Sequence, residues 1–210
     1  MKIFLYFEYN LWEVILIKYD THVNGGIFLG MLFLGPFYNY IISNFNLIEI
    51  SIFFLLYIYF LKLGSIFPDI DCPQSYIGKK VNILSEIINN KFHHRGFTHS
   101  ALFIYFLIFL SLLINILFKL FYPYIFVFLD VYISIIFYGF ILGCISHILL
   151  DMFNSSGVCI LYPSCKKYRL PLAPVIKVGS NAELSLNSFL SLLTNILIVM
   201  YIFNLIKYLA

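Results

Sequence analysis

Charge is what this sequence has least of. Only 11% of its 210 residues are charged, where a soluble globular domain carries about a quarter, so that class is excluded. The net charge of +3 is small and spread along the chain, which argues against a nucleic-acid partner. Cysteine is scarce too. Cys72, Cys144, Cys159 and Cys165 form no CxxC pair and read as thiols facing a reducing compartment, with Cys144 packed inside an apolar run. A cleavable signal peptide is not evident, since the first twenty residues carry Glu8, Glu13 and Lys18 and lack a small-residue cleavage site. No internal repeat or low-complexity linker is visible.

What is present is apolar and comes in blocks. Hydrophobic residues make up 62% of the chain and the mean hydropathy is +0.95. Five runs, at about 23–42, 47–66, 97–122, 124–150 and 184–209, are long enough to cross a bilayer as helices. The predicted architecture is an all-α polytopic bundle of about five spans, forming one integral membrane domain over 21–210. Residues 1–20, interrupted by Glu8 and Glu13, read as an interfacial amphipathic extension. Gly25, Gly26, Gly30 and Gly35 allow close helix approach in the first run, which Pro36 kinks or ends. Residues 78–90 read as a short amphipathic helix with Val81, Leu84, Ile87 and Ile88 on one face, resting on the bundle or the bilayer surface.

The polar residues are confined to a few places, above all residues 64–100. Asp69 and Asp71 follow Pro68, and an extended segment would set both carboxylates on one side, where repulsion favours a cation. His94 and His99 bracket Arg95, with His93 adjoining; Thr98 is a possible cap for the third helix. His147 and Asp151, four apart on a helix, share one face. Ser100 beside His99 does not make a nucleophile–base dyad, because adjacent helical residues point about 100° apart. Arg95 could bind a phosphate or carboxylate through its planar fork, or serve only as a membrane-edge charge. Glu183 could be a base, a ligand or a helix-start acid.

Counting crossings brings these groups together. If His22 lies on one side, the second span returns there with Asp69 and Asp71. The third leaves from His99, the fourth returns with His147 and Asp151, and the fifth leaves just after Glu183. Connections on that side also carry Lys79, Lys80, Lys91, Arg95, Lys166, Lys167, Arg169 and Lys177, against Lys119 and Lys207 opposite. The positive-inside rule makes it the cytoplasmic side. Mixed imidazole and carboxylate groups at a membrane edge are the ingredients of a divalent metal site, zinc or manganese, and their number suggests two or more ions or some residues in base roles.

Three ordered elements resemble those of the YdjM-like family of bacterial inner-membrane proteins. They are Pro68-Asp69-Ile70-Asp71, His94-Arg95-Gly96-Phe97-Thr98-His99-Ser100, and Ser146-His147-Ile148-Leu149-Leu150-Asp151 with Gly157. An early Thr21-His22 fits, and Val178-Gly179-Ser180 with Glu183 is similar to the family's final polar segment. Cys72 stands where members often have a histidine. The resemblance implies a metal-dependent hydrolase and names no substrate. Together with the residues, it leads to an expected membrane hydrolase in the inner membrane with His22, Asp69, Asp71, His94, His99, His147 and Asp151 as metal ligands or their close supports. Arg95 and Glu183 are then the candidate catalytic groups. A site at the bilayer edge favours a lipid-borne phosphoester. The rivals are an ion or metal transporter, whose ligands usually lie near the bilayer midplane, and a metal-stabilised scaffold without catalysis.

Overall fold

A computed structural model describes residues 19–164, 166–171, 175–177 and 179–209, apart from the side chains of 126–128. The helices are α1 (Tyr19–Leu32), α2 (Gly35–Asn44), α3 (Leu47–Ile66), α4 (Tyr76–Lys80), α5 (Asn82–Phe92), α6 (Ala101–Phe121), α7 (Pro123–Asp151) and α8 (Asn181–Leu209). Two short 3-10 turns, Phe67–Asp71 and Phe97–His99, join them at the polar end. Four helices are long and apolar enough to cross a membrane, and five spans result if the bent pair of α1 and α2 counts as one. The expected helical bundle is therefore present. Nearly all of the 1–20 extension lies outside the described residues; Tyr19 and Asp20 belong to α1.

The first run is broken by 64° between α1 and α2, just before Pro36 in the first turn of α2. A break inside a membrane frees backbone carbonyls that must be satisfied internally. Three tyrosine hydroxyls do this: Tyr57 donates to Gly30 O (2.8 Å), Tyr201 to Met31 O (3.0 Å) and Tyr138 to Phe33 O (2.8 Å). The aromatic-rich composition thus has a structural use here that composition alone does not reveal.

The bundle is centred on α3 and α7. About 33% of the α3 span and 39% of the α7 span are buried, against 11% for α6 and α8, so the latter two present most of their surface to lipid. Small residues bring backbones together, as membrane helix packing requires. A Cβ on Gly64 would fall 2.1 Å from Phe140 O, and one on Gly143 would fall 2.4 Å from Leu61 O. Gly26 and Gly30 likewise abut Ser65 and Leu61, whereas Gly35 meets nothing closer than the Tyr201 hydroxyl at 3.9 Å and is no packing residue. Phe53, Tyr57, Leu61 and Ile135 fill the buried core between these helices.

Two local expectations need correction. The amphipathic segment is two helices rather than one, because Val81 leaves helical geometry (φ −126°, ψ 49°) between α4 and α5. Of its apolar face, Val81, Leu84 and Ile87 are exposed and Ile88 is half-buried, so most of that face is turned away from the bundle and the bilayer surface remains open to it. At the start of α6 the capping residue is Ser100, whose Oγ accepts from Phe103 N–H, and not Thr98. Ser100 Oγ also donates to Phe97 O, consistent with the rejected dyad.

Candidate metal centre

The polar end is assembled from the ends of four helices. The 3-10 turn Phe67–Asp71 follows α3 and carries Asp69 and Asp71. The segment is thus a 3-10 turn and not the extended one expected, yet Asp69 and Asp71 still offer carboxylate oxygens within 4.8 Å of each other and of His94, as a pair facing one cation would. They bracket His99. Asp71 Oδ2 lies 3.1 Å from its Nδ1 and Asp69 Oδ1 lies 3.6 Å from its Nε2. The turn Phe97–His99 supplies His99, and the last turn of α7 supplies His147 and Asp151.

Four side chains converge: Asp69, His99, His147 and Asp151 each offer an atom within 4.8 Å of the others. The two Nε2 atoms of His99 and His147 are 3.2 Å apart. Asp151 Oδ2 is 3.4 Å from the first and 3.9 Å from the second, and Asp69 Oδ1 is 3.5 Å from His147 Nε2. A tetrahedral ion with bonds of roughly 2.0–2.1 Å sets its ligand atoms roughly 3.3–3.4 Å apart, close to these separations.

The outer contacts fix which nitrogen faces inward. His147 Nδ1 is 2.6 Å from the Ser65 carbonyl, which can only accept, so that nitrogen carries the proton and Nε2 presents a lone pair. His99 Nδ1 is held by the Asp71 carboxylate in the same way. A carboxylate or carbonyl behind each ring is the usual support of a metal-ligating histidine. Asp71 is itself clamped by Thr98 Oγ1, the Arg95 backbone N–H and His94 Nδ1. It therefore sits behind His99, although it also forms, with Asp69 and the part-exposed His94, a second group able to hold an ion.

Charge points the same way. Asp69, Asp71 and Asp151 are buried with one guanidinium, that of Arg95. With the histidines neutral, three carboxylates against one cation leave an excess of two negative charges, which a buried site must offset. Burial opposes charging of His99, yet Asp151, Asp69 and Asp71 together outweigh it and raise its pKa well above the ordinary value. A proton on His99 or a bound cation supplies the added positive charge, and two imidazoles with two carboxylates are a donor set that could hold a metal ion.

Arg95 does not hold its fork free for a substrate. Its Nε is 2.9 Å from Asp151 Oδ2, its Nη2 donates to Asp151 Oδ1 at 2.9 Å, and Nη1 donates to Ser156 Oγ. The backbone at Arg95 (φ 64°) and at His93 (φ 59°) is left-handed, a strained conformation that clusters at functional sites. It lets Arg95 point its N–H at Asp71 while its carbonyl accepts from Cys159 N–H.

His22 stacks on His147, ring centroids 3.9 Å apart, with Nε2 3.6 Å from Asp151 Oδ1. It lies beside the four-residue group and outside it. Glu183 lies outside both groups. Its buried carboxylate accepts from Gly179 N–H at 2.6 Å at the start of α8, and it shares the wall of a small cavity with His22. Three groups that matter here escaped sequence reasoning: Ser156, Thr98 as a partner of Asp71, and the Ser65 carbonyl. Thr98 lay within a motif already singled out; the other two carry no sequence signal.

A cavity of about 150 Å³ opens beside two of the converging ligands, Asp69 and His147, and is walled by His22, Cys72, Ser75 and Tyr76 among others. The second large cavity near this end, about 320 Å³ between α6 and α7, is lined by Ile104, Ile148, Leu149 and similar apolar residues.

Comparison with known proteins agrees with the sequence motifs. Residues 17–209 match the family model described as YdjM inner membrane protein. The chain is 36% identical over 121 residues to the uncharacterized protein YvsG of Bacillus subtilis, covering 58% of this chain and 64% of that one. It is 35% identical over 111 residues to the inner membrane protein YdjM of Escherichia coli, covering 52% of this chain and 50% of the other. The matches thus span about half to two thirds of the length of these relatives. No solved structure matches the chain. With the three motifs gathered at one end of four or five apolar spans, this multi-pass protein belongs to the YdjM inner membrane protein family.

Proposed function

We propose that the protein is a membrane-embedded, metal-dependent hydrolase with its centre at the cytoplasmic end of the bundle. One observation carries this reading: two histidines, each held from behind at Nδ1, aim Nε2 at one point shared with Asp69 and Asp151, beside an open cavity. A structural metal site is closed, whereas a catalytic one keeps a position open, and the cavity at Asp69 and His147 supports the second.

Asp69, His99, His147 and Asp151 would hold a divalent ion, zinc or manganese. The group of Asp69, Asp71 and His94 offers a place for a further one. When bound, such an ion supplies electrophilic assistance to a phosphoryl or carbonyl oxygen and makes water a better nucleophile at neutral pH. The chain's own residues do the rest. Asp71 and the Ser65 carbonyl keep the imidazoles in register, Arg95 fixes the orientation of Asp151, and the surrounding helix ends limit water to the cavity side.

A transporter is disfavoured by where the polar groups lie. The break between α1 and α2, where a broken helix could offer ligands to a transported ion, is served by tyrosine hydroxyls. The reading is tested by assaying the metal-loaded protein on a panel of phosphoesters, lipid phosphates included, and amides. Turnover should vanish with chelator and return with zinc or manganese; no turnover on any of them would leave a scaffold. Sidedness is tested separately, with a single cysteine placed at Lys166. Labelling from the cytoplasmic side is expected, and labelling only from the periplasm would reverse the orientation.

A further inference from the structure

The cavity beside the metal centre has a rim whose chemistry is unlike the rest of its wall. Tyr76 lines it together with Gln74, Ser75 and Tyr19. The Tyr19 and Tyr76 rings meet at 4.6 Å, and the Lys80 ammonium sits 4.5 Å from the centre of the Tyr76 ring. The neighbouring Tyr76 raises the Lys80 pKa, so this side chain is a cation at neutral pH. Among the described residues, Asp69 is the only carboxylate in the wall, and it is one of the converging ligands. Besides His22, His147 and Cys72, the wall carries the Gln74 amide and the Tyr19 and Tyr76 hydroxyls, which can donate to an anion, while the Ser75 hydroxyl donates to the Asp69 carbonyl.

We propose that this cavity is the substrate pocket and that Tyr76 and Lys80 bind a phosphoryl group of the substrate, a role that Arg95, committed to Asp151, is not placed to fill. The proposal rests on the hydrolase reading and names its substrate class. About 150 Å³ is room for roughly five water molecules, enough for a phosphoryl group with a few waters. The remainder of the substrate must then lie outside the cavity. Immediately after α4 the chain exposes Ile83, Leu84 and Ile87 on α5, an apolar surface that suits a substrate anchored in lipid.

The test is calorimetric titration of the zinc-loaded, full-length protein with inorganic phosphate. Lys80 is on the surface, so Lys80→Gln leaves the fold intact; Tyr76→Phe removes only the hydroxyl. The double variant should bind phosphate ~tenfold more weakly, as for the loss of a charge-assisted hydrogen bond, with zinc content unchanged. Lys91→Gln, on α5, should change nothing. Equal affinity in the double variant and the parent overturns the proposal, as does equal weakening by Lys91→Gln, which would indicate general surface charge. Phosphatidylcholine vesicles containing phosphatidic acid should compete with inorganic phosphate; competition by glycerol 3-phosphate alone would assign the same subsite to soluble phosphates. Phosphate bound through Lys80 without turnover of any phosphoester would preserve the subsite and remove the hydrolase reading. Turnover of neutral substrates, insensitive to Lys80→Gln, would do the reverse.

Discussion

The two ends of the bundle are built on different terms. At the far end the chain turns quickly: α2 passes to α3 through Phe45 and Asn46, and α6 to α7 through Tyr122. The work there is capping. The Asn46 side chain accepts from Ile48 and Glu49 N–H while Glu49 reaches back to Asn46 N–H, and Pro123 starts α7. At the near end the connections are long and their polar groups are buried, with Asp71, His99, His147 and Asp151 fully enclosed. Buried charge is costly unless compensated, so this end is organised by mutual compensation where the other is organised by helix geometry.

Breaking the near end should therefore do most damage. Asp151→Ala removes a ligand and strands the buried Arg95. It is expected to abolish stoichiometric metal binding and to destabilise the protein by about 3–5 kcal/mol, read as metal content and as thermal unfolding in detergent. Retention of both would remove Asp151 from the centre. Asp71→Asn acts one step further out, behind His99. Metal should still bind, at about 10–100-fold lower affinity, measured by competition with a chromogenic chelator; complete loss would make Asp71 a direct ligand.

Acidity separates the ends in another way. Without metal, His99 has a raised pKa because Asp151, Asp69 and Asp71 outweigh the opposing effect of burial. Its stabilisation is fully present below the ordinary value of 6.5 and is lost as pH rises through the folded-state value. A metal replaces that proton. The rise in melting temperature on adding zinc should thus grow as pH increases, and a shift independent of pH would contradict the shared site. The smallest effects belong to the caps. Asn46→Ala at the far end and Ser100→Ala at the near end should each cost about 1 kcal/mol, with metal content unchanged in both; loss of metal in Ser100→Ala would give Ser100 a role in the centre.

Much of this was legible in the sequence because membrane spans are written in long apolar blocks and because His147 and Asp151 obey simple helical spacing. The single-sided gathering of His22, Asp69, His99 and Asp151 follows from counting crossings alone. What stayed hidden depends on the direction of individual groups. Asp69 and Asp71 sit on a 3-10 turn, not an extended segment, which Pro68 permits but does not announce. Arg95 turns towards Asp151 through a left-handed backbone that its residue type does not suggest. The α1–α2 break was signalled by Pro36, but the tyrosines that satisfy it come from α3, α7 and α8 and are indistinguishable in sequence from lipid-facing aromatics.

The central claim is that Asp69, His99, His147 and Asp151 form one divalent-metal site. Its most direct test is elemental analysis of protein purified without added metal or chelator, in parallel for the parent and for His147→Ala. The account predicts at least one zinc or manganese ion per parent chain and a loss of one ion per chain in the variant. A folded, metal-free parent that takes up no zinc or manganese on addition, or a variant with undiminished content, would contradict it.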